Sequence, residues 1–383
     1  MVALFGTKEK VVAVADVGSG SVGFSILQLN PGGMPTILAA TRSILPLEDR
    51  THEQTISGVL RMLSEAGSAV LKSYNEGKSG KHLGPPHDVY AIIRAPWTRA
   101  SSGRATRVFK EETTISKYLI TELGREALEN NKDLDRNNML ESSVIRVELN
   151  EYQTSQPIGK RAHRLDIVTF ESDCDVDIKK GVTSALEALL PGRPLILKSG
   201  ARAYLAIVEE KMEHPNTYVI VDMVSEASNV MAVRDGIITH NAVIPEGVRT
   251  ILRRITGQKG ISEEVISLMR MVVADSCNGE VCDRLNEALA KVEPELVRVF
   301  GESVGTIMGK RRLPDTLILF AHPDMLSWLA HVFSRIDFSQ FTIPMHPFSV
   351  KTLSPEKIKS LMRVDANVSA DTSLIVASAF VNM

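Results

Sequence analysis

The sequence predicts an α/β protein of two related lobes that face each other across a cleft, with a compact α+β insert between them. Three observations carry this expectation. The apolar run VVAVADV at residues 11–17 ends near Asp16, turns through small residues and continues as a second strand, FSILQL. YVIVDMV and VMAVR repeat that pattern far downstream, so that Asp16 aligns with Asp222. A length of 383 residues exceeds what one hydrophobic core usually organises, which suits a duplicated body. Two similar strand pairs can also arise by coincidence in any α/β chain, and at this level that alternative stays open.

The elements follow in order. Residues 10–29 read as strand, GSGSVG turn and strand; Pro31-Gly32-Gly33 breaks the chain, and PTILAATRSILPL returns as a third strand. From residue 53 to 74, Ile56, Val59, Leu60, Leu63, Ala66 and Val70 recur at helical spacing. Residues 75–87 are polar and rich in Gly and Pro and read as a loop, VYAIIRAP as a strand, and residues 97–112 as a basic polar stretch. A helix at 115–128, the strands SSVIRVELNEY and HRLDIVTFES around Gln156-Pro157-Ile158-Gly159, and a helix at 178–190 complete the insert. A helix at 199–211 leads to the repeated strands. Helical segments at 248–256, 262–274 and 281–308, the strand LPDTLILFA, a helix from residue 324 and an apolar helix at 372–381 close the chain. The expected division is 1–87 first lobe, 88–195 insert, 196–214 connecting helix, 215–345 second lobe with a helical part, and 346–383 a return segment with a core helix.

Composition narrows the function classes. Lys and Arg number 44 against 46 Asp and Glu, so no bulk positive charge points to nucleic acid as a partner. Lys8, Glu9 and Lys10 interrupt the amino-terminal apolar run, which a signal peptide would not tolerate, and no stretch reaches the length of a membrane span. Three cysteines, Cys174, Cys277 and Cys282, form an odd, sparse set that fits separate thiols and a cytoplasmic setting; a zinc site using His322 lacks a fourth ligand. No spacing suggests a Ser/His/Asp or Cys/His constellation or a carboxylate pair.

The segment Asp16-Val17-Gly18-Ser19-Gly20-Ser21 has a definite chemical use. Gly18 and Gly20 let the backbone approach a phosphate, Ser19 and Ser21 can donate to it, and Asp16 can hold magnesium through water. It is not a P-loop, because no Gly-Lys-Ser/Thr follows. The alternative reading is a glycine-containing hairpin with an exposed acid. His322 reads as a base-stacking group or a solvent-facing loop residue, Lys310-Arg311-Arg312 as a partner contact or a solvated turn, and Trp97 beside Arg94, Arg99, Arg104 and Arg107 as an interaction surface or packing within the insert.

DVGSGSVGFSIL resembles the first phosphate loop of the actin, hexokinase and heat-shock chaperone superfamily, and VDMVSEASNVMAV its second. VIRVELNEYQTSQPIGKRAHRLDIVTFES, LKSGARAYLAIVEE and AVIPEGVRTILRRI are similar, in order, to the insert, the connecting helix and the entry to the helical part of FtsA, a bacterial division protein. PilM, the actin-like component of type IV pilus machinery, resembles the chain in architecture and stands as the alternative. The resemblance implies an actin-like fold and an ATP and magnesium site at Asp16, Gly18, Ser19, Gly20, Ser21, Asp222 and Ser225, with magnesium on Asp16 and Asp222. It also implies a cytoplasmic scaffold or adaptor that binds division or envelope-machinery proteins and self-associates into filaments. A working ATPase or phosphotransferase would need a general base, and none is legible. Val224 stands where the second loop would carry glycine, Glu226 adds like-charge repulsion if it points inward, and Ala321-His322-Pro323 stands where a glycine pair would lie under adenosine, so weakened nucleotide binding is expected. No amphipathic helix follows the last core helix, so membrane attachment is expected only through a partner.

Overall fold

The computed structural model describes residues 10–30, 33–48, 50–129, 134–256, 262–274, 276–308, 312–335, 342 and 346–383. In the first lobe, β1 (Lys10–Val17), β2 (Ser21–Leu29) and β3 (Thr36–Ile44) form an antiparallel meander, followed by α1 (His52–Glu76), α2 (Lys78–Leu83) and β4 (Asp88–Ile93). The insert comprises β5 (Thr98–Thr114), α3 (Lys117–Glu129), β6 (Met139–Leu149), β7 (Tyr152–Gln153), β8 (Arg161–Cys174) and α4 (Val176–Leu189). Next come β9 (Leu195–Ser199), α5 (Gly200–Lys211), β10 (Thr217–Met223), β11 (Ser228–Arg234), β12 (Ile237–Ile244), α6 (Val248–Thr256), α7 (Ser262–Val273) and α8 (Glu280–Met308). The chain ends with β13 (Thr316–Phe320), α9 (Pro323–Arg335), β14 (Ser349–Thr352), α10 (Pro355–Leu361), β15 (Arg363–Val364) and α11 (Thr372–Val381).

The sheet orders display the duplication. The first sheet runs β15-β3-β2-β1-β4-β9 and the second β12-β11-β10-β13-β14. Asp16 stands opposite Gly23 on β2 and Ile92 on β4, and Asp222 opposite Asn229 on β11 and Phe320 on β13. β1 is apolar almost throughout because both of its faces are covered. Val12 and Val14 join the core shared with α5 and α11, while Val11, Ala13, Ala15 and Val17 pack under α1 and α4. β10 alternates likewise, with Tyr218 and Ile220 towards α5 and α11, and Val219, Val221 and Met223 towards α6 to α9. The layers are therefore α1 and α4, first sheet, α5 and α11, second sheet, and the helical part. This is the two-lobed actin-like fold.

α1 starts where Thr51 and Gln54 cap each other, Gln54 N–H donating to the Thr51 hydroxyl at 3.2 Å and Thr51 N–H to Gln54 Oε1 at 3.0 Å. Its buried positions are those the helical spacing marks, with Met62, Gly67 and Tyr74 added and Leu60 only partly buried.

Several expectations need adjustment. β4 pairs parallel with β1, and β9 pairs parallel with β4, so residues 88–93, grouped with the insert on sequence, belong to the first-lobe sheet. The second sheet takes its last strand from Ser349–Thr352, beyond residue 345. The polar stretch 97–112 is mostly the long strand β5, whose outward arginines meet acids: Arg104 reaches Glu148 at 2.8 Å and Arg107 reaches Glu122 at 2.8 Å. The expected loop at 75–87 contains α2. Cys277 and Cys282, read as separate thiols, are joined in a disulfide that closes the short connection between α7 and α8, so the cysteine count gives no argument for a reducing compartment. Cys174 is free, and burial pushes its thiol up to about 12. Lys310 and Arg311 lie outside the described residues, as does Pro31-Gly32. No described helix is long and apolar enough to cross a membrane.

Candidate functional site between the lobes

Strand parity places the two aspartates. Asp16 follows Val12 and Val14 on the face of β1 turned to the other lobe, and Asp222 follows Tyr218 and Ile220 on the matching face of β10. The loops after them meet tip to tip. A Cβ on Gly20 would stand 2.5 Å from Ser225 Cβ and 3.1 Å from Arg249 Cδ, so only glycine permits this approach. Ser19 Oγ accepts from the Glu226 amide at 3.1 Å, and within the first loop Gly18 N–H donates to the Ser21 carbonyl at 3.0 Å.

The second loop is a tight turn, with Val224 N–H donating to the Ala227 carbonyl at 3.0 Å. It also caps α6. Val248 N–H donates to the Val224 carbonyl at 3.0 Å and Arg249 N–H to the Ser225 carbonyl at 2.8 Å. Gly247 allows the contact, since a Cβ there would lie 2.5 Å from both carbonyl oxygens. Amides at a helix start often receive an anion; here loop carbonyls occupy them. Glu226 turns to α6, accepting from Arg253 at 3.1 and 2.5 Å, with Arg249 Nε at 3.4 Å.

Both aspartates are held by arginines of the first lobe. Arg42 on β3 donates to Asp16 Oδ2 at 2.5 Å, to Ser21 Oγ at 3.0 Å and to Asp371, the N-cap of α11. Arg94, just after β4, crosses to the second lobe and grips both Asp222 oxygens, its Nε at 3.2 Å from Oδ2. The same guanidinium lies 3.6 Å from Asp16 Oδ2 and over the Tyr204 ring at 5.3 Å. Arg94, Asp16 and Asp222 are at most 6% exposed, so their counter-ions are one another and, for Asp16, Arg42. Asp16 Oδ1 alone of these carboxylate oxygens is buried without a hydrogen-bond partner.

Burial opposes the charge on Arg94, yet Asp222, Tyr204 and Asp16 outweigh it and hold the guanidinium well above its ordinary value. Burial acts similarly against Arg42, where Asp16 and Asp371 prevail. Burial would raise the Asp371 carboxyl, but Arg42 and the Leu374 amide hold it below the usual range.

The residues expected to form the nucleotide site, Asp16, Gly18, Ser19, Gly20, Ser21, Asp222 and Ser225, lie at one junction. Sequence reasoning missed Arg42 and Asp371, and it set Arg94 beside Trp97 rather than in the cleft. A signal existed: Arg42 is the one charged residue in β3, and Arg94 ends the otherwise apolar run VYAII. Trp97 is 4% exposed and belongs to the first-lobe core, which settles it as packing. His322 is exposed at the rim of the cleft, where its carbonyl accepts the first amides of α9. Among the described residues no group of three or more His, Cys, Asp or Glu side chains is disposed to hold a metal ion.

No family model matches the chain, and no curated protein matches it. Its likeness is to solved structures. A type IV pilus biogenesis complex of PilM and PilN matches with a TM-score of 0.58 and 13% identity over 96% of this chain and 97% of that one. The ethanolamine utilization protein EutJ from Carboxydothermus hydrogenoformans has 13% identity over 96% of this chain and 90% of that one, with a TM-score of 0.46. A ROK hexokinase from Thermus thermophilus has 13% identity over 97% of each chain, with a TM-score of 0.36. At such identities the likeness concerns the fold.

Proposed function

We propose that this chain is a non-enzymatic actin-fold adaptor of a bacterial envelope machine, of the pilus-assembly kind in preference to the division kind. The reading rests on one observation: Arg42 and Arg94 occupy the carboxylates that a magnesium nucleotide would need. A magnesium ion carried on Asp16 and Asp222 would have to displace the buried Arg94 and the partly buried Arg42. A triphosphate between the loops would have to part Gly20 from Ser225. In this arrangement the residues present do not fit a magnesium nucleotide, and the lobes are clamped by the protein's own ions.

Two further observations favour an adaptor. The insert exposes Val108 at 72%, Tyr118 at 72%, Tyr152 at 79% and Ile158 at 63%, large apolar side chains open to a protein partner. The whole-length likeness to a PilM that is complexed with PilN supports the pilus reading over division. The Pro157-Ile158-Gly159 turn, within the stretch similar to FtsA, has a local cause: Gly159 sits at φ +83°, a conformation that selects glycine in any family.

The test is calorimetric titration of the full chain with ATP and magnesium, repeated on Asp16→Ala. The expected result is no binding heat from either protein. Micromolar binding that disappears in Asp16→Ala would overturn the reading and restore a nucleotide switch. Filaments that form only with nucleotide, seen by negative-stain microscopy, would do the same.

A further inference from the structure

Cys277 and Cys282 are joined at the corner where α7 gives way to α8. Ser276 N–H donates to the Met271 carbonyl at 2.9 Å, so Cys277 directly follows the last turn of α7. Cys282 stands in the first turn of α8, its N–H donating to the Gly279 carbonyl at 2.9 Å, and Gly279 turns the chain at φ +91°. Residues 278–281 are exposed and Cys277 partly so, whereas Cys282 is 3% exposed. A sulfur arriving from solvent therefore meets Cys277 first.

Three features set this disulfide apart from a global staple. It joins residues only five apart in sequence, so it restricts the unfolded chain little. The second lobe already has an extensive apolar core, including Val219, Leu289, Phe300, Leu317 and Phe333, and lacks the need for a cross-link that small domains have. What the bond does fix is α7, a helix of twelve residues, too short to persist alone and docked by one stripe, Val265, Ile266, Leu268, Met269 and Val272. Ile266 of that stripe lines a cavity of about 430 Å³ beside the clamped charges, together with Leu252 on α6 and Met325 on α9. Displacing α7 would uncover this apolar wall of the cleft.

We propose that Cys277 and Cys282 form a reversible thiol–disulfide switch that governs the docking of α7 over the cleft, opened by a dithiol reductant and reset by a low-molecular-weight disulfide. One reductant thiolate attacks Cys277 Sγ; the bond to Cys282 breaks, and its electron pair leaves on Cys282 Sγ, which takes up a proton. The second reductant thiolate then attacks the reductant's own sulfur in the mixed disulfide, and Cys277 departs and is protonated. The reductant leaves as a disulfide, two electrons poorer, and the low-molecular-weight disulfide runs both steps in reverse. Cys174 does not compete, because it is buried and its thiol is pushed up to about 12. The switch does not depend on what the cleft binds, so it stands or falls apart from the adaptor reading.

The full chain is treated with oxidised glutathione or with dithiothreitol and then alkylated with iodoacetamide without denaturant. Oxidised protein is expected to take up no label, and reduced protein to be labelled at Cys277 and Cys282 with Cys174 unmodified. Amide hydrogen exchange across α7 should quicken about tenfold or more on reduction, while α1 and β1 keep their rates. Cys277→Ser should show the fast α7 exchange with or without reductant, which ties the change to the bond rather than to the reagent. Labelling of both cysteines in the oxidised sample, or resistance of the folded pair to dithiothreitol, would overturn the proposal. Equal α7 exchange in the two states would also overturn it, since the disulfide would then be inert. Faster exchange throughout α1 and β1 would do the same, because the bond would then hold the whole fold and not one helix.

Discussion

The two lobes share a strand plan and divide the chemistry unequally. At the position across from the strand aspartate, the first lobe has Gly23 and the second Asn229. One strand further out stand Arg42 and Val243. Two residues after the partners Ile92 and Phe320 come Arg94 and His322. The first lobe thus supplies both cations of the clamp, and the second supplies Asp222 and an amide row in which Asn241 donates to Asn229 at 2.5 Å. Duplication preserves the backbone that delivers two acids to one cleft, while substitution at matching positions decides what neutralises them. Metal and nucleotide are one solution to that electrostatic problem, and two guanidinium groups are another.

The asymmetry can be broken from either side. The largest effect is expected from Arg94→Ala, which leaves Asp222 charged and buried: a loss of about 3–5 kcal/mol in urea unfolding. The matching change in the second lobe, His322→Ala, alters an exposed rim residue and should stay within about 0.5 kcal/mol. A large loss from both would mean that the lobes bear the load equally. Asp371→Asn is next, since Asn keeps the α11 cap and removes the charge that Arg42 needs; about 1.5–3 kcal/mol should be lost at neutral pH.

That variant also has a pH signature. The folded pKa of Asp371 is depressed, so its contribution is full above the ordinary carboxylate value near 4 and fades as pH falls through the lower folded value. The difference between wild type and Asp371→Asn should therefore shrink below about pH 4. A constant difference across that range would detach Asp371 from the ion pair.

Gly23→Ala sharpens the comparison further. An added Cβ would lie 2.8 Å from Arg42 Nη2 and 3.1 Å from Leu374 Cδ1, and the guanidinium is too well tied to withdraw freely. A loss of about 1–2 kcal/mol is expected, recovered in part when Arg42 is also replaced by Lys. The smallest effect belongs to Val224→Gly. Restoring a glycine to the second loop leaves Arg42 and Arg94 on the aspartates, so calorimetry should still register no magnesium ATP; binding gained from that change alone would make the loop, rather than the arginines, the obstacle.

The sequence made the fold legible because its signals are local or repeated. Alternation along VVAVADV and TYVIVDM needs only a covered sheet, the spacing in residues 53–74 needs only one helix, and the glycines of the first loop need only a turn. The clamp was hidden because its partners lie far apart in sequence: Arg42 and Asp371 by 329 residues, Arg94 and Asp222 by 128. An isolated arginine in an apolar strand was the available sign, and it remains mute about its partner until the lobes close. β5 was missed for a related reason. Its outward arginines look like a solvated stretch until Glu148 and Glu122 are brought opposite them.

A double-mutant cycle between Arg94 and Asp222 measures the bridge between lobes most directly, using Arg94→Ala, Asp222→Ala and the pair in urea unfolding. A coupling of about 2 kcal/mol or more is the expected result. A coupling within about 0.3 kcal/mol of zero would contradict the account, because two buried groups in contact cannot then be each other's counter-ion.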